Sequence, residues 1–371
     1  MAAKSVATVR APMLALVAGL WAGLARLGFV LPASRAIAAE HGPLMISGFL
    51  GTLICLERAV ALGTTWSYAA PGFAAAGTIV TILLGDTVAG AALFTLAAVI
   101  LLFDFAILIP RDPQTYMIVM ALGAASWLVG NAMLTAHVPI AALVWWWAGF
   151  LVLTIMGERL EMSRVLAPSV ASRAVFISAT ALFVAALQIS AVAPRIGLRL
   201  IGVAMIAFAV WIGIFDVARR TIRRPGLPRF GAVNLLAGAG WMVVAGAMRL
   251  GFSPAMGILH YDAILHAVFL GFVFSMIFAH APIIFPAVIG RAMPFNASFY
   301  AHVIVLHASL VLRVAADLVD LPGLWRISGA LNVAAILLFI VSTIRSVASG
   351  VRTARVHRSV HAPQVPLRSN D

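Results

Sequence analysis

Cysteine is all but missing: Cys55 is the only one in 371 residues. A lone thiol excludes a disulfide framework, a thiolate zinc site and an iron–sulfur cluster. Acidic residues are scarce too, 12 Asp and Glu against 25 Lys and Arg, and charge of both signs makes up 10% of the chain. That leaves too little polar surface to cover a soluble globule. No glycine-rich phosphate loop and no His-Glu-x-x-His motif occurs, which removes the common nucleotide and zinc-peptidase readings.

Apolar residues fill the space left by these absences, at 63% with a mean hydropathy of +1.07. Windows of about 20 apolar residues, each long enough to cross about 30 Å of hydrocarbon, fall at 11–32, 43–63, 66–85, 87–109, 115–135, 138–158, 173–193, 197–217, 232–252, 263–285, 298–319 and 324–347. The expectation is an all-α integral membrane protein with about twelve transmembrane helices. Cys55 lies inside one of them.

The net charge of +13 records topology rather than nucleic-acid binding, because the basic residues collect on alternate loops. Lys4, Arg10, Arg111, Arg164, Arg173, the cluster from Arg219 to Arg229, Arg291, Arg345 and the Arg residues after Arg352 share one side. The other side holds Arg35, Arg195, Arg199 and Arg326, with His41, His137, His260 and Asp262. Positive loops stay in the cytoplasm, so both termini are expected there. Residues 351–371 are polar, contain Pro363 and Pro366, and read as a disordered cytoplasmic tail. LPASRA at 31–36 has the look of a signal cleavage site, but AGLARLGF at 22–29 recurs as AGAMRLGF at 245–252. The first helix thus has a counterpart in the ninth and is expected to be retained.

That repeat extends further. GFLGTLICLE (48–57), GFLVLTIMGE (149–158) and GFVFSMIFAH (271–280) each begin Gly-Phe and end on an ionisable group, in the second, sixth and tenth helices. Asp104 and Asp216 also sit alike in the fourth and eighth. These matches divide the chain into three direct four-helix units, 1–112, 113–228 and 229–350, expected to close around a pseudo-threefold axis with each second helix inside. Those helices carry Glu57-Arg58, Glu158-Arg159 and His280. Adjacent charges near a helix end can simply snorkel to water. In the bundle interior they would instead form a proton relay, or Arg side chains would neutralise anionic cofactor groups.

Five of the nine histidines, 260, 266, 280, 302 and 307, lie in the third unit. On an ideal helix His266 and His280 are about 21 Å apart along the axis and about 40° apart around it, so they mark two levels on one face. For the lower level, His280 and His307 stand about nine residues from the turn joining their helices, hence at one expected depth of about 13 Å. His302 is about 140° from His307 around the same helix, too far for both to chelate one ion. For the upper level, His266 has His260 nearby and His41 at the start of the second helix. Imidazoles on facing helices are the usual ligands of haem iron, and copper also takes them. Each histidine taken singly also reads as a hydrogen-bonded structural residue.

EHGPLMISGFLG (40–51), LHAVFLGFVFSMIFAHAP (265–282) and LVLRVAADL (310–318) resemble motifs of the NnrS proteins. The resemblance rests on His41 and Gly48-Phe49, on His266, Gly271, Met276-Ile277 and His280, and on Arg313. It implies a twelve-helix bacterial membrane protein that binds haem b and copper and takes part in nitric oxide metabolism or tolerance, in a denitrification setting. Two departures stand out: the early His-rich motif keeps only His41, and the later helix ends Ala-His-Ala-Pro. Candidate metal ligands are therefore His41, His260, His266, His280, His302 and His307. Candidates for the anionic edge of a cofactor are Arg26, Arg249 and Arg313, with Glu57, Arg58, Glu158 and Arg159 beside it. The partners implied are membrane lipid, an electron donor and nitric oxide, with no nucleic acid. The plan is also similar to that of the haem–copper oxidase catalytic subunit, but the sixth helix offers Glu158 where that subunit has histidines. The competing reading is a proton-coupled secondary transporter that uses Glu57, Glu158, Asp104 and His280, although common transporters are built from two halves or inverted repeats. A passive membrane scaffold is a third.

Overall fold

The computed structural model describes residues 2–32, 37–85, 87–252 and 257–360. Arg35 and residues 361–371 of the expected tail lie outside them. Among the described residues all regular structure is helical. The long helices are α1 (Ala2–Arg26), α2 (Ala38–Leu62), α3 (Trp66–Leu84), α4 (Val88–Arg111), α5 (Thr115–Thr135), α6 (Ile140–Leu166), α7 (Val170–Val192), α8 (Pro194–Phe215), α9 (Leu227–Gly251), α10 (starting at Ile258 and ending at Ile289), α11 (Phe299–Leu318) and α12 (Pro322–Val360). The last of these carries helix ten residues into the segment read as tail.

Helices α2 to α12 are each long and apolar enough to cross a membrane, with mean hydropathies of 1.5 to 2.7, and α1 spans 25 residues. The chain is a multi-pass membrane protein. Its turns carry local start signals: Thr87 accepts a hydrogen bond from the Gly90 N–H and Ser169 from the Ser172 N–H, satisfying amides that the first turns of α4 and α7 leave open. Pro194 starts α8, where a missing N–H costs nothing.

Burial separates the helices into two classes. In α2, α6 and α10, 72%, 83% and 72% of the central window is buried, against 33–50% in α3–α5, α7–α9, α11 and α12. These three helices make the interior, and the others surround them. The helices pack in chain order, α3 on α4, α4 on α5, α5 on α6, α7 on α8, α8 on α9 and α11 on α12, while α12 returns to touch α1. Arg326 of α12 donates to the Gly28 carbonyl just past α1, and its guanidinium lies over Phe29.

The glycine that opens each repeated motif lies at a close helix contact. A Cβ at Gly48 would meet Ala15 of α1 and Thr78 of α3; one at Gly149 would meet Ser126 of α5 and Leu187 of α7; one at Gly271 would run into the Trp241 ring of α9. Two of the interior helices also share a departure from α-geometry. Leu44–Gly51 in α2 and Ala267–Phe274 in α10 are eight-residue π-helical segments, each ending three residues beyond the motif glycine. π-Helical turns are rare and concentrate at functional sites.

Candidate functional site

Each π-helical segment follows a histidine, His41 in α2 and His266 in α10, and the fold brings these two together. Their ring centres are 6.5 Å apart and their planes 22° from parallel. The His41 Nδ1 lies 2.8 Å from the Gly19 carbonyl of α1. Gly23, one turn on, leaves room for the ring, since a Cβ there would sit 3.1 Å from it. The His266 Nδ1 lies 2.9 Å from the Asp262 carbonyl and 3.2 Å from the Asp262 carboxylate. With Nδ1 of each ring donating to oxygen, the Nε2 of each is left as a lone-pair donor. This is how proteins orient metal-bound imidazoles.

Asp262 was not singled out among the site candidates, yet it organises this level. Its carboxylate takes two hydrogen bonds from Arg313, at 2.8 and 3.1 Å, and one from the Trp325 indole at 3.1 Å. Arg313 is therefore committed to a protein carboxylate rather than to a cofactor. Arg249 is buried, with its guanidinium 5.6 Å from the Trp145 ring centre. Arg26 ends α1, is exposed, and stands within electrostatic range of His41.

The other candidate histidines are placed apart from this pair. His260 packs edge-on against Phe252, with ring centres 4.8 Å apart. His307 accepts a hydrogen bond at Nδ1 from the Trp241 indole, which is the ring wedged against Gly271 of α10. His280 lies nine residues beyond Gly271, on the far side of that level. The expectation that His280 and His307 share a depth fails because α10 overruns the start of α11. The nine-residue link 290–298 climbs back beside α12, where Ser346 donates to the Pro294 carbonyl. Phe278 consequently faces His302 at 4.6 Å. His302 is 1% exposed among Phe230, Phe278, Phe299 and Phe339, and neither of its ring nitrogens has a hydrogen-bond partner among the described residues.

At the opposite end of the interior helices the motif-ending groups meet. Arg58 lies 2.8 Å from Glu57 and 3.8 Å from Glu158. Arg159 grips Asp216 at the end of α8 through two bonds of 2.7 and 2.9 Å, and its remaining nitrogen lies 3.3 Å from the His280 Nε2. His280 in turn holds its Nδ1 2.7 Å from the Met276 carbonyl. Asp216 is thus the counter-ion of Arg159. Asp104, its sequence counterpart, is fully buried and has no hydrogen-bond partner among the described residues. A cavity of about 510 Å³ lies beside this layer, with Glu57, Glu158, His280 and Arg291 in its lining.

The ligand count limits the chemistry. Among the described residues no three His, Cys, Asp or Glu side chains converge on one point. The His41–His266 pair offers two nitrogens, the number a haem iron takes from a protein.

The chain belongs to the family described as Domain of unknown function (DUF8744), whose model matches residues 6–348. That match runs from α1 into α12 and so takes in both ends of the interior helices. No curated protein matches the chain.

Proposed function

We propose that the chain is a haem-binding protein of the bacterial inner membrane, in which His41 and His266 would hold the haem iron, with a role in nitric oxide metabolism or tolerance. The observation that carries the haem reading is the spacing and anchoring of these two imidazoles: 6.5 Å between ring centres, with each Nδ1 held by a backbone oxygen. The nitric oxide connection rests on the resemblance to NnrS proteins. Haem, when bound, supplies one-electron and diatomic-gas chemistry. The chain's own contribution is to orient His41 through Gly19, to orient His266 through Asp262, and to present Arg26 as a cation at the same end. Two imidazoles without a third ligand suit haem better than copper(II), which prefers more nitrogen or oxygen donors.

We further read the architecture as three direct four-helix units around a pseudo-threefold axis. Its support is the burial of α2, α6 and α10, the matching glycine contacts, and the return of α12 to α1. On this reading both termini are cytoplasmic, in keeping with the alternation of the basic loops, and the His41–His266 level lies toward the outer face with the Arg159 layer toward the inner one.

The test is a visible spectrum of the detergent-purified protein, oxidised and reduced, with and without nitric oxide. A haem spectrum that shifts when nitric oxide is added and is lost in both His41→Ala and His266→Ala is the expected result. A colourless protein from which no haem is extracted overturns the proposal and favours the proton-coupled transporter.

A further inference from the structure

The cavity beside the Arg159 layer has a wall and a head of different chemistry. Its wall is apolar and includes three aromatic rings, Phe49, Phe285 and Phe339. At its head stand Glu57 and Glu158, which share the single Arg58 guanidinium at 2.8 and 3.8 Å, so hydrogen-bond acceptors are in excess there. Thr343 of α12 also lines it, and its buried hydroxyl has no hydrogen-bond partner among the described residues. The volume of about 510 Å³ lies within the range of ligand sites, about 300–1,000 Å³.

The cavity is bounded by α1 at Pro12, Met13 and Leu16 and by α12 from Phe339 to Ala348. These two helices meet at their other ends, where Gly329 lies against Leu27. Ile344 lines the cavity while 63% exposed on the outside of the bundle. The opening therefore faces sideways, toward hydrocarbon, in the gap between α1 and α12.

An occupant must dissolve in lipid, carry a flat ring for the phenylalanines, and donate hydrogen bonds to carboxylates. An anionic head, the phosphate of a phospholipid or the carboxylate of a fatty acid, would meet two acidic side chains at the head, since Arg291, the arginine in the lining, is exposed to the outside of the bundle. Haem is a poor fit, because its propionates would meet the same pair and His280 already accepts from Arg159 at Nε2. We propose that this cavity binds an isoprenoid quinol, its hydroxyls toward Glu57 and Glu158 and its tail toward the gap between α1 and α12. The site stands independently of haem.

Native mass spectrometry of the full-length protein, titrated anaerobically with decylubiquinol and with decylubiquinone, tests this. One quinol retained per chain is expected, with the quinone at least tenfold weaker because it has no O–H to donate. Glu158→Gln should weaken quinol binding about tenfold, as loss of a charge-assisted hydrogen bond implies, and Ala281→Trp should fill the cavity and abolish retention. Should Ala281→Trp fail to fold, Glu158→Gln and Thr343→Val carry the test, and unchanged affinity in both overturns the proposal. So do the absence of saturable retention, equal affinity for quinone and quinol, or a retained phospholipid that quinol does not displace. A colourless protein that retains quinol drops the haem reading and keeps this one; a coloured protein that retains none does the reverse.

Discussion

Asp216→Ala removes the counter-ion of Arg159 from a site where the two side chains are 0% and 3% exposed. The carboxylate accepts two bonds from the guanidinium, at 2.7 and 2.9 Å, and a third from the Ala218 N–H at 2.7 Å. Deleting one partner of a buried ion pair costs about 3–5 kcal/mol, because the other is left charged and dry. The orphaned Ala218 amide adds about 1 kcal/mol. The expected loss is therefore about 4–6 kcal/mol, a large part of an ordinary stability of about 5–15 kcal/mol. Arg159 retains its contacts to His280 and to the Met162 sulfur, which place the outcome toward the lower figure. Chemical denaturation in detergent micelles measures it. The double variant Asp216→Leu with Arg159→Met removes both charges and should recover all but about 1–2 kcal/mol, since apolar replacement of a buried pair is often neutral. A loss below about 1 kcal/mol in Asp216→Ala, or a double variant no more stable than the single one, would refute the account of this pair as a closed, desolvated unit.

Three further outcomes follow from the same geometry. Asp262→Asn keeps the backbone bond to His266 but drops the carboxylate, and should lower haem retention about 10- to 100-fold; the haem-to-protein ratio after size exclusion reads this, and an unchanged ratio counts against Asp262 as the residue that orients His266. Gly271→Val drives a branched side chain into the Trp241 ring and should cost at least about 1–3 kcal/mol, measurable as a lowered melting temperature, whereas an unaltered melt would mean that α9 and α10 do not pack as described. Cysteines introduced at Arg223 and at His137 should react with a membrane-impermeant maleimide from opposite faces of the membrane, Arg223→Cys from the cytoplasm, against a background in which Cys55 is fully buried. Labelling of both from one face would contradict the alternation of the loops.

Much of the helix plan was legible because a membrane helix must satisfy its backbone internally and match a fixed thickness. The windows expected at 66–85, 115–135 and 298–319 lie within a residue of the observed Trp66–Leu84, Thr115–Thr135 and Phe299–Leu318. The first window is displaced, since α1 ends at Arg26 rather than near 32. The Gly-Phe motifs marked the helices that the structure buries. Pairings were less legible. His280 and His307 were expected at one depth from their distances to the turn, and the climbing link 290–298 moved His307 up to the level of Trp241. The π-helical segments carry no period that a sequence displays, and Asp262 reads as a loop residue until Arg313 and Trp325 converge on it.

By itself the amino-acid sequence determined that the chain crosses a membrane, how its helices are divided, and which of them carry ionisable groups into the interior. These follow from hydropathy and spacing, which act along the chain. Which charges meet was decided only by the tertiary structure: Arg159 with Asp216 across 57 residues, Arg313 with Asp262 across 51, and His41 of α2 with His266 of α10. Such pairs depend on helix rotation and relative depth, and those are set by packing between helices rather than by any local run of residues.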